Sequence, residues 1–261
     1  MLTLLLLQSA LLTNSVSEGS IEPSAPASDA AVLDLDILNT PEQGENESPW
    51  SGKAEVSLTD VSGNSESSNG AANLTFGWEG DLDAFNIGAH YAGVRTSGTT
   101  TSRLYAYDAA YNRFFSEKKN LYGYANAGTR QDEPNGLQMR AMTGVGLGYR
   151  FHINADSDLD VEAGVSFVAE NKIGTVNETS GVGRFAFKYG VPFWEDFSVT
   201  ASGEYLNGGD IETYVQDLGL SWHFNETWDL TLSNNIAWDG NPSAGFSSTD
   251  RRWNLLIGTT F

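Results

Sequence analysis

Charged residues recur at alternate positions within the apolar runs of this chain. Lys53, Glu55, Asp108, Arg140, Arg150, Asp160, Glu162, Arg184, Lys188, Glu204, Asp217 and Arg252 are mostly flanked by apolar or aromatic neighbours. That spacing puts charge on one face of an extended strand and hydrocarbon on the other. Two chemistries follow. Around an aqueous pore such charges tune ion selectivity. Across a narrow bore they pair with one another and fill it. Opposite signs on neighbouring strands, as with Arg140 and Glu162, favour pairing.

Other chemistry is thinly represented. The three histidines, His90, His152 and His223, have no second histidine at metal-ligand spacing, and the chain has no cysteine. No metal site and no cofactor is expected. Gly144-Val145-Gly146-Leu147-Gly148 looks like a phosphate-cradling loop, but it lies inside a strand pattern and no helix follows. Inward glycines relieving crowding in a sheet wall explain it better. Outer-membrane phospholipases use Ser and His facing the bilayer, whereas His90 and His223 are expected to face inward. His152 falls in an expected periplasmic turn. The acids of the expected long loops (Glu66, Asp132, Glu133, Glu170, Glu178, Asp210, Asp239 and Asp250) read as a solvated acidic rim. Their alternative is a divalent-cation bridge to lipopolysaccharide.

The elements that must position these residues are strands. The composition has 28 glycines, 7 Trp, 10 Tyr and 13 Phe, which favours sheet over helix. From Trp50 onward, alternation with a period of two recurs in about twelve segments. Residues 120–131 resist assignment, because Tyr122 and Tyr124 share a face with Asn126 and Arg130. The other runs have a clear apolar face, as in Leu159, Val161, Ala163, Val165 and Phe167. Arg103 and Arg113 bracket Tyr105 to Tyr111 on the apolar face and are expected to snorkel to the interfaces.

Connections alternate between short turns (as at Glu79 to Asp81) and mostly longer Gly-, Ser- and Asn-rich loops. The longer set includes Val94 to Thr100 and Asn207 to Ile211. An even strand number with that asymmetry describes a transmembrane antiparallel up-and-down β-barrel. Pro134, Pro192 and Pro242 are all expected in connections. Trp50, Trp78, Trp194, Trp222 and Trp228 cluster at one set of strand ends and Trp238 and Trp253 at the other, as in interfacial girdles.

Ahead of the barrel, residues 1–17 hold an apolar run, Leu2 to Leu12, too short for a helical span of roughly 20 residues. A signal peptide fits. Residues 18–49 carry acids and prolines without a basic residue and are expected to be a disordered periplasmic linker. With 34 Asp+Glu against 14 Lys+Arg and a net charge of -20, nucleic acid is excluded as a partner. The expected partners are outer-membrane lipid and lipopolysaccharide. The barrel-assembly machinery is a third, through the strand that carries Trp253, Leu255, Ile257 and Phe261 on one face. A monomer in the outer membrane of a Gram-negative bacterium is expected.

Further residues carry a resemblance. Trp50 and Gly52 are followed by Ser62-Gly63-Asn64, then Asp132, Gly146-Leu147-Gly148-Tyr149-Arg150, Asp239, Asn241-Pro242, Asp250 and Phe261. In this order the domain, residues 50–261, resembles the salt-induced outer membrane protein family, which is defined by a domain of unknown function. Ser65 stands where a Thr is common. The resemblance implies an outer-membrane barrel and supplies neither substrate nor catalytic residue.

The expectation is a non-enzymatic outer-membrane barrel, structural or envelope-protective, with a largely filled lumen. A narrow channel for ions or small solutes is the alternative, and a membrane-embedded hydrolase the second alternative.

Overall fold

The computed structural model describes residues 49–61, 67–133, 136–154, 157–174, 177–242 and 247–261. The signal segment 1–17, the linker as far as Ser48, the loop residues Ser62, Gly63, Asn64, Ser65 and Glu66, and Pro134 lie outside the described residues.

Twelve strands form one closed antiparallel barrel. They are β1 (Trp50–Val61), β2 (Ser67–Glu79), β3 (Asp83–Thr96), β4 (Thr99–Phe114), β5 (Leu121–Asp132) and β6 (Leu137–Asn154). The second half comprises β7 (Ser157–Lys172), β8 (Glu178–Trp194), β9 (Phe197–Gly208), β10 (Ile211–His223), β11 (Trp228–Asp239) and β12 (Thr249–Thr260). Each strand pairs with its neighbours in sequence, and β1 pairs with β12. Trp50 and Phe261 lie at one end, the near rim; the far rim carries the β1–β2 connection.

Alternation sorts the side chains into two environments. Val56, Leu74, Ile87, Tyr107, Leu147, Phe167, Phe185 and Leu255 are exposed on the outside. In water this would be a contiguous apolar surface far beyond the few hundred Å² that soluble monomers show. In a bilayer it is the required surface, and closure satisfies the strands' backbone groups. Aromatic stacks mark the near rim: Trp50 on Phe76 at 5.2 Å and Phe197 on Trp222 at 6.3 Å.

The structure assigns the strand that alternation left open. On β5, Tyr122, Tyr124, Arg130 and Asp132 are buried inward, and Leu121 and Gln131 are exposed. The β6 glycines make the room. A Cβ on Gly148 would meet the Tyr122 ring, and one on Gly146 would lie 2.6 Å from Tyr124.

Two details differ from expectation. Pro192 lies inside β8 rather than in a connection, beside a register shift between Pro192 and Trp194. A bulge tolerates proline because the ladder is already interrupted there. The expected long loops Val94 to Thr100 and Asn207 to Ile211 are tight turns, since β3 runs to Thr96 and β9 to Gly208. Ser97 and Gly98 have φ of 48° and 80°, the paired positive values whose twist matches a two-residue hairpin. Arg95 Nε donates to Gly98 O at 3.0 Å across that turn.

Candidate functional site in the barrel lumen

The inward side chains form two polar belts that run around the wall. The first crosses β5, β7, β8 and β9. Tyr122 Oη donates to Glu162 at 3.0 Å, Arg184 reaches Glu162 at 2.7 Å, and Arg184 Nε reaches Glu204 at 2.5 Å. The Arg184 guanidinium also lies 4.9 Å from the Tyr124 ring centre. Its side chain is 3% exposed, and Glu162 and Glu204 are 4% and 1% exposed. One cation is thus shared by two buried carboxylates.

The second belt crosses the closing seam. Lys53 lies 2.6 Å from Glu55 and 3.4 Å from Asp229 on β11. Asn73 Nδ2 donates to Glu55 at 3.3 Å, its Oδ1 meets His90 Nδ1 at 3.3 Å, and His90 Nε2 lies 3.4 Å from Asp108. Near the same rim Arg150 makes a two-point contact with Asp160, at 2.8 and 3.0 Å, with its guanidinium 5.1 Å from the Phe114 ring centre. Asp217 accepts from Asn235 at 2.7 Å.

A third layer lies at the far rim and corrects two expectations. Arg140 does not meet Glu162. The β6–β7 register sets it opposite Glu170, to which it is ion-paired, while Glu162 takes Arg184. The expected acidic loop rim is in part inside the wall. Asp132, Glu170, Asp239 and Asp250 are buried, because β5, β7, β11 and β12 extend far enough to include them. Asp132 accepts from Ser102 Oγ and from the Arg103 backbone N–H, both at 2.9 Å. Lys172 joins Glu170 at 2.7 Å to Asp239 at 3.2 Å. Glu133, Glu178 and Asp210 are exposed. Arg103 and Arg113, on the outer face, pair with Glu133 and Asp83.

Below this layer, Met142, Val168, Val182, Leu206 and Ile211 form a buried apolar cluster facing inward. Alternation did not reveal it, because these residues share a face with Arg140, Glu170, Arg184, Glu204 and Thr213. Arg130 and Asp229 were missed as inward charges for simpler reasons. One sat on the unassigned strand and the other is the second residue of β11, ahead of the alternating run that begins at Leu230.

The bore is not filled evenly. The β5–β9 side is packed by the first belt, the recessed tyrosine rings and the apolar cluster. A cavity of about 120 Å³ remains beside them, lined from every strand but β6 and β7. Lys53, Glu55, Lys188, Asp217 and Arg252, all inward charges of the alternating pattern, lie on its wall, joined by Arg130. Ser202, Asn73 and Asn254 add neutral polar lining.

Little in the bore suggests bond-making chemistry. His90 is buried in the second belt. At the near rim, His152 bonds Asp158 at 2.7 Å and Lys118 O at 3.0 Å. His223 Nε2 lies 3.0 Å from Ser198 Oγ, a nucleophile–base distance. Among the described residues no carboxylate bonds His223, so the third, orienting group of a triad is not in place. Among the described residues no group of three or more His, Asp or Glu could hold a metal ion.

Comparison with known proteins agrees with this architecture. The chain is 23% identical over 211 residues to the uncharacterized protein YdiY of Escherichia coli (strain K12), covering 80% of this chain and 82% of that one. The barrel is similar to the COG4313 outer membrane channel from Pseudomonas putida F1, with a TM-score of 0.52 and 12% identity over 88% of this chain and all, 100%, of that one. It is similar also to the NanC porin, with a TM-score of 0.51 and 9% identity over 81% and 98% of the two chains. Fold and apolar outer surface together are those of a barrel of the Gram-negative outer membrane. The pattern of one protein family matches residues 54–261. The chain belongs to that family, described as protein of unknown function DUF481.

Proposed function

We propose that the protein is a non-enzymatic outer-membrane channel of low conductance for ions and small polar solutes. The observation that carries this reading is the cavity of about 120 Å³ within the bore. Its wall mixes polar and charged side chains with Leu104, Val215 and Leu256, and it has room for several waters. Its wall reaches from Lys53 near one rim to Arg130 on the far half of β5. The fold shared with an outer membrane channel and a porin supports it. The sequence alone favoured a filled lumen; the uneven packing moves the balance.

A second reading has its own support. The two belts and the apolar cluster are buried side chains that bond or pack against one another across the inner wall, as a structural or envelope-protective barrel requires. The resemblance to salt-induced proteins points the same way. The twelve alternating charges would then be pairing groups, with no part in selectivity.

Single-channel recording on the refolded protein in planar bilayers decides between the two. Small, salt-dependent current steps are expected. Folded, inserted protein without steps would leave the filled barrel as the function.

A further inference from the structure

The turn between β4 and β5 leans over the near mouth of the barrel. The Lys119 ammonium lies 5.8 Å from the ring centre of Phe114, which is buried on the inner wall against Tyr122. From there it reaches the β2–β3 turn, donating to Glu79 at 2.5 Å and to Gly80 O at 2.9 Å. The Lys119 φ of 50° is left-handed, a conformation disfavoured for a residue with a Cβ. The turn is held down by its contacts rather than by its own backbone preference.

On the other side it is held by His152, near the end of β6. His152 Nε2 lies 3.0 Å from Lys118 O, and Nδ1 lies 2.7 Å from the Asp158 carboxylate on β7. A carbonyl and a carboxylate are both acceptors with no hydrogen to give. A neutral imidazole carries one N–H and satisfies one of them; the imidazolium satisfies both. Loss of the proton sets a nitrogen lone pair against an oxygen. The remaining N–H stays with the charged acceptor, Asp158, and Lys118 O loses its donor.

The charged groups around this ring are Arg150 on its own strand, Asp158 and Asp160 on β7, and Glu117, Lys118 and Lys119 on the turn. Arg150 opposes a positive ring, but it is itself bonded to Asp160 at 2.8 Å. The Lys118 carbonyl and the Asp158 carboxylate hold the ring's titration above its ordinary value of 6.5.

We propose that the β4–β5 turn is a pH-operated flap over the near mouth, latched by a doubly bonded His152 and freed when that ring loses its proton. The latch is complete below the ring's ordinary titration, and it is lost as pH rises through the raised one. At the acid end it fails when Asp158 takes up a proton, at about pH 4. Asn120 stays bonded to Arg150 through its side chain and its carbonyl, so residues 116–119 move and Asn120 is the hinge. The Lys119–Glu79 pair is then the tie across the mouth, and a partly exposed ion pair adds little hold against a left-handed backbone. The flap does not depend on conduction through the bore.

The chain has no cysteine, so Glu117→Cys on the flap and Glu226→Cys on the β10–β11 turn give the sole thiols for a spin-label pair. The full chain is refolded into phosphatidylcholine vesicles, and the label-to-label distance distribution is measured from about pH 5 to about pH 9. One narrow distance is expected at the acid end, giving way to a broad distribution in a single-proton transition centred above the ordinary histidine value. His152→Gln, which cannot take the charge, should give a distribution that ignores pH. Asp158→Asn should move the transition to lower pH, because the ring loses its charged partner. His223, at the same rim as the second label, is kept in both variants. A distribution that is the same at both ends of the range overturns the flap. A pH response that survives in His152→Gln overturns it also and assigns the response to another group. No current is read, so the outcome is separate from that of the channel.

Discussion

Gly52 and Phe261 exchange backbone hydrogen bonds of 2.8 and 2.9 Å, and the Phe261 ring occupies the space where a Cβ on Gly52 would project, 2.7 Å from its Cζ. The aromatic ring and the glycine are one interlocking contact across the β1–β12 seam. Gly52→Ala should therefore push the ring aside at an overpacking cost of about 1–3 kcal/mol. The expected readout is a lower urea midpoint for vesicle-refolded protein, partly recovered in the Gly52→Ala/Phe261→Ala double variant. We expect Phe261→Ala, but not Gly52→Ala, to reduce the amount delivered to the outer-membrane fraction, since Trp253, Leu255, Ile257 and Phe261 form the proposed insertion signal.

Arg184 holds two buried carboxylates, so its removal leaves both uncompensated. Arg184→Met should destabilise the barrel by about 3–5 kcal/mol. Adding Glu162→Gln and Glu204→Gln should return most of that loss in the same denaturation assay. A triple variant as unstable as the single one would show that the belt acts through packing rather than charge.

The two β6 glycines should respond differently. The atoms nearest to a Cβ on Gly148 all belong to the Tyr122 ring, whereas a Cβ on Gly146 also meets the Ala163 carbonyl oxygen. Gly148→Ala should be rescued by Tyr122→Ala, which removes the obstructing ring. Gly146→Ala should not be rescued by Tyr124→Ala, because backbone cannot rotate out of the way. Folded fraction on semi-native gels separates the two cases.

Ser202, on β9, is buried on the cavity wall. Ser202→Trp should fill the space and lower single-channel current sharply while the barrel still folds. Unchanged current in a folded variant would place the conducting path elsewhere.

The exposed Ser198–His223 pair gives the hydrolase alternative a direct check. His223→Ala is expected to leave both folding and current unaltered. Lipase and protease assays should read no turnover before or after the change. Turnover lost with His223→Ala would overturn the non-enzymatic assignment.

Strand alternation was strong enough to place the barrel, because one-residue shifts move every side chain to the wrong face. It failed where both faces were similar. On β5, Ala125, Ala127 and Gly128 give no contrast, and only the recess beside Gly146 and Gly148 explains why tyrosines turn inward. Partner choice was less legible than facing. Arg140 meets Glu170 because of the β6–β7 register, and strand tilt sets that register over the whole barrel. The uneven filling of the bore depends on side chains from strands far apart in sequence, so no local pattern carries it. The far-rim acids were misread for a local reason. Turns such as Ser97-Gly98 consume so few residues that the strands run further than Gly, Ser and Asn content suggests.

Both polar belts follow the circumference rather than the strand axis, and this has a mechanical consequence. Each is an arc, the first from β5 to β9 and the second from β11 to β4, that ties strands side by side and so opposes change in girth rather than in length. Lateral pressure from the surrounding lipid then meets charged side chains bracing one another in addition to the ladder between strands.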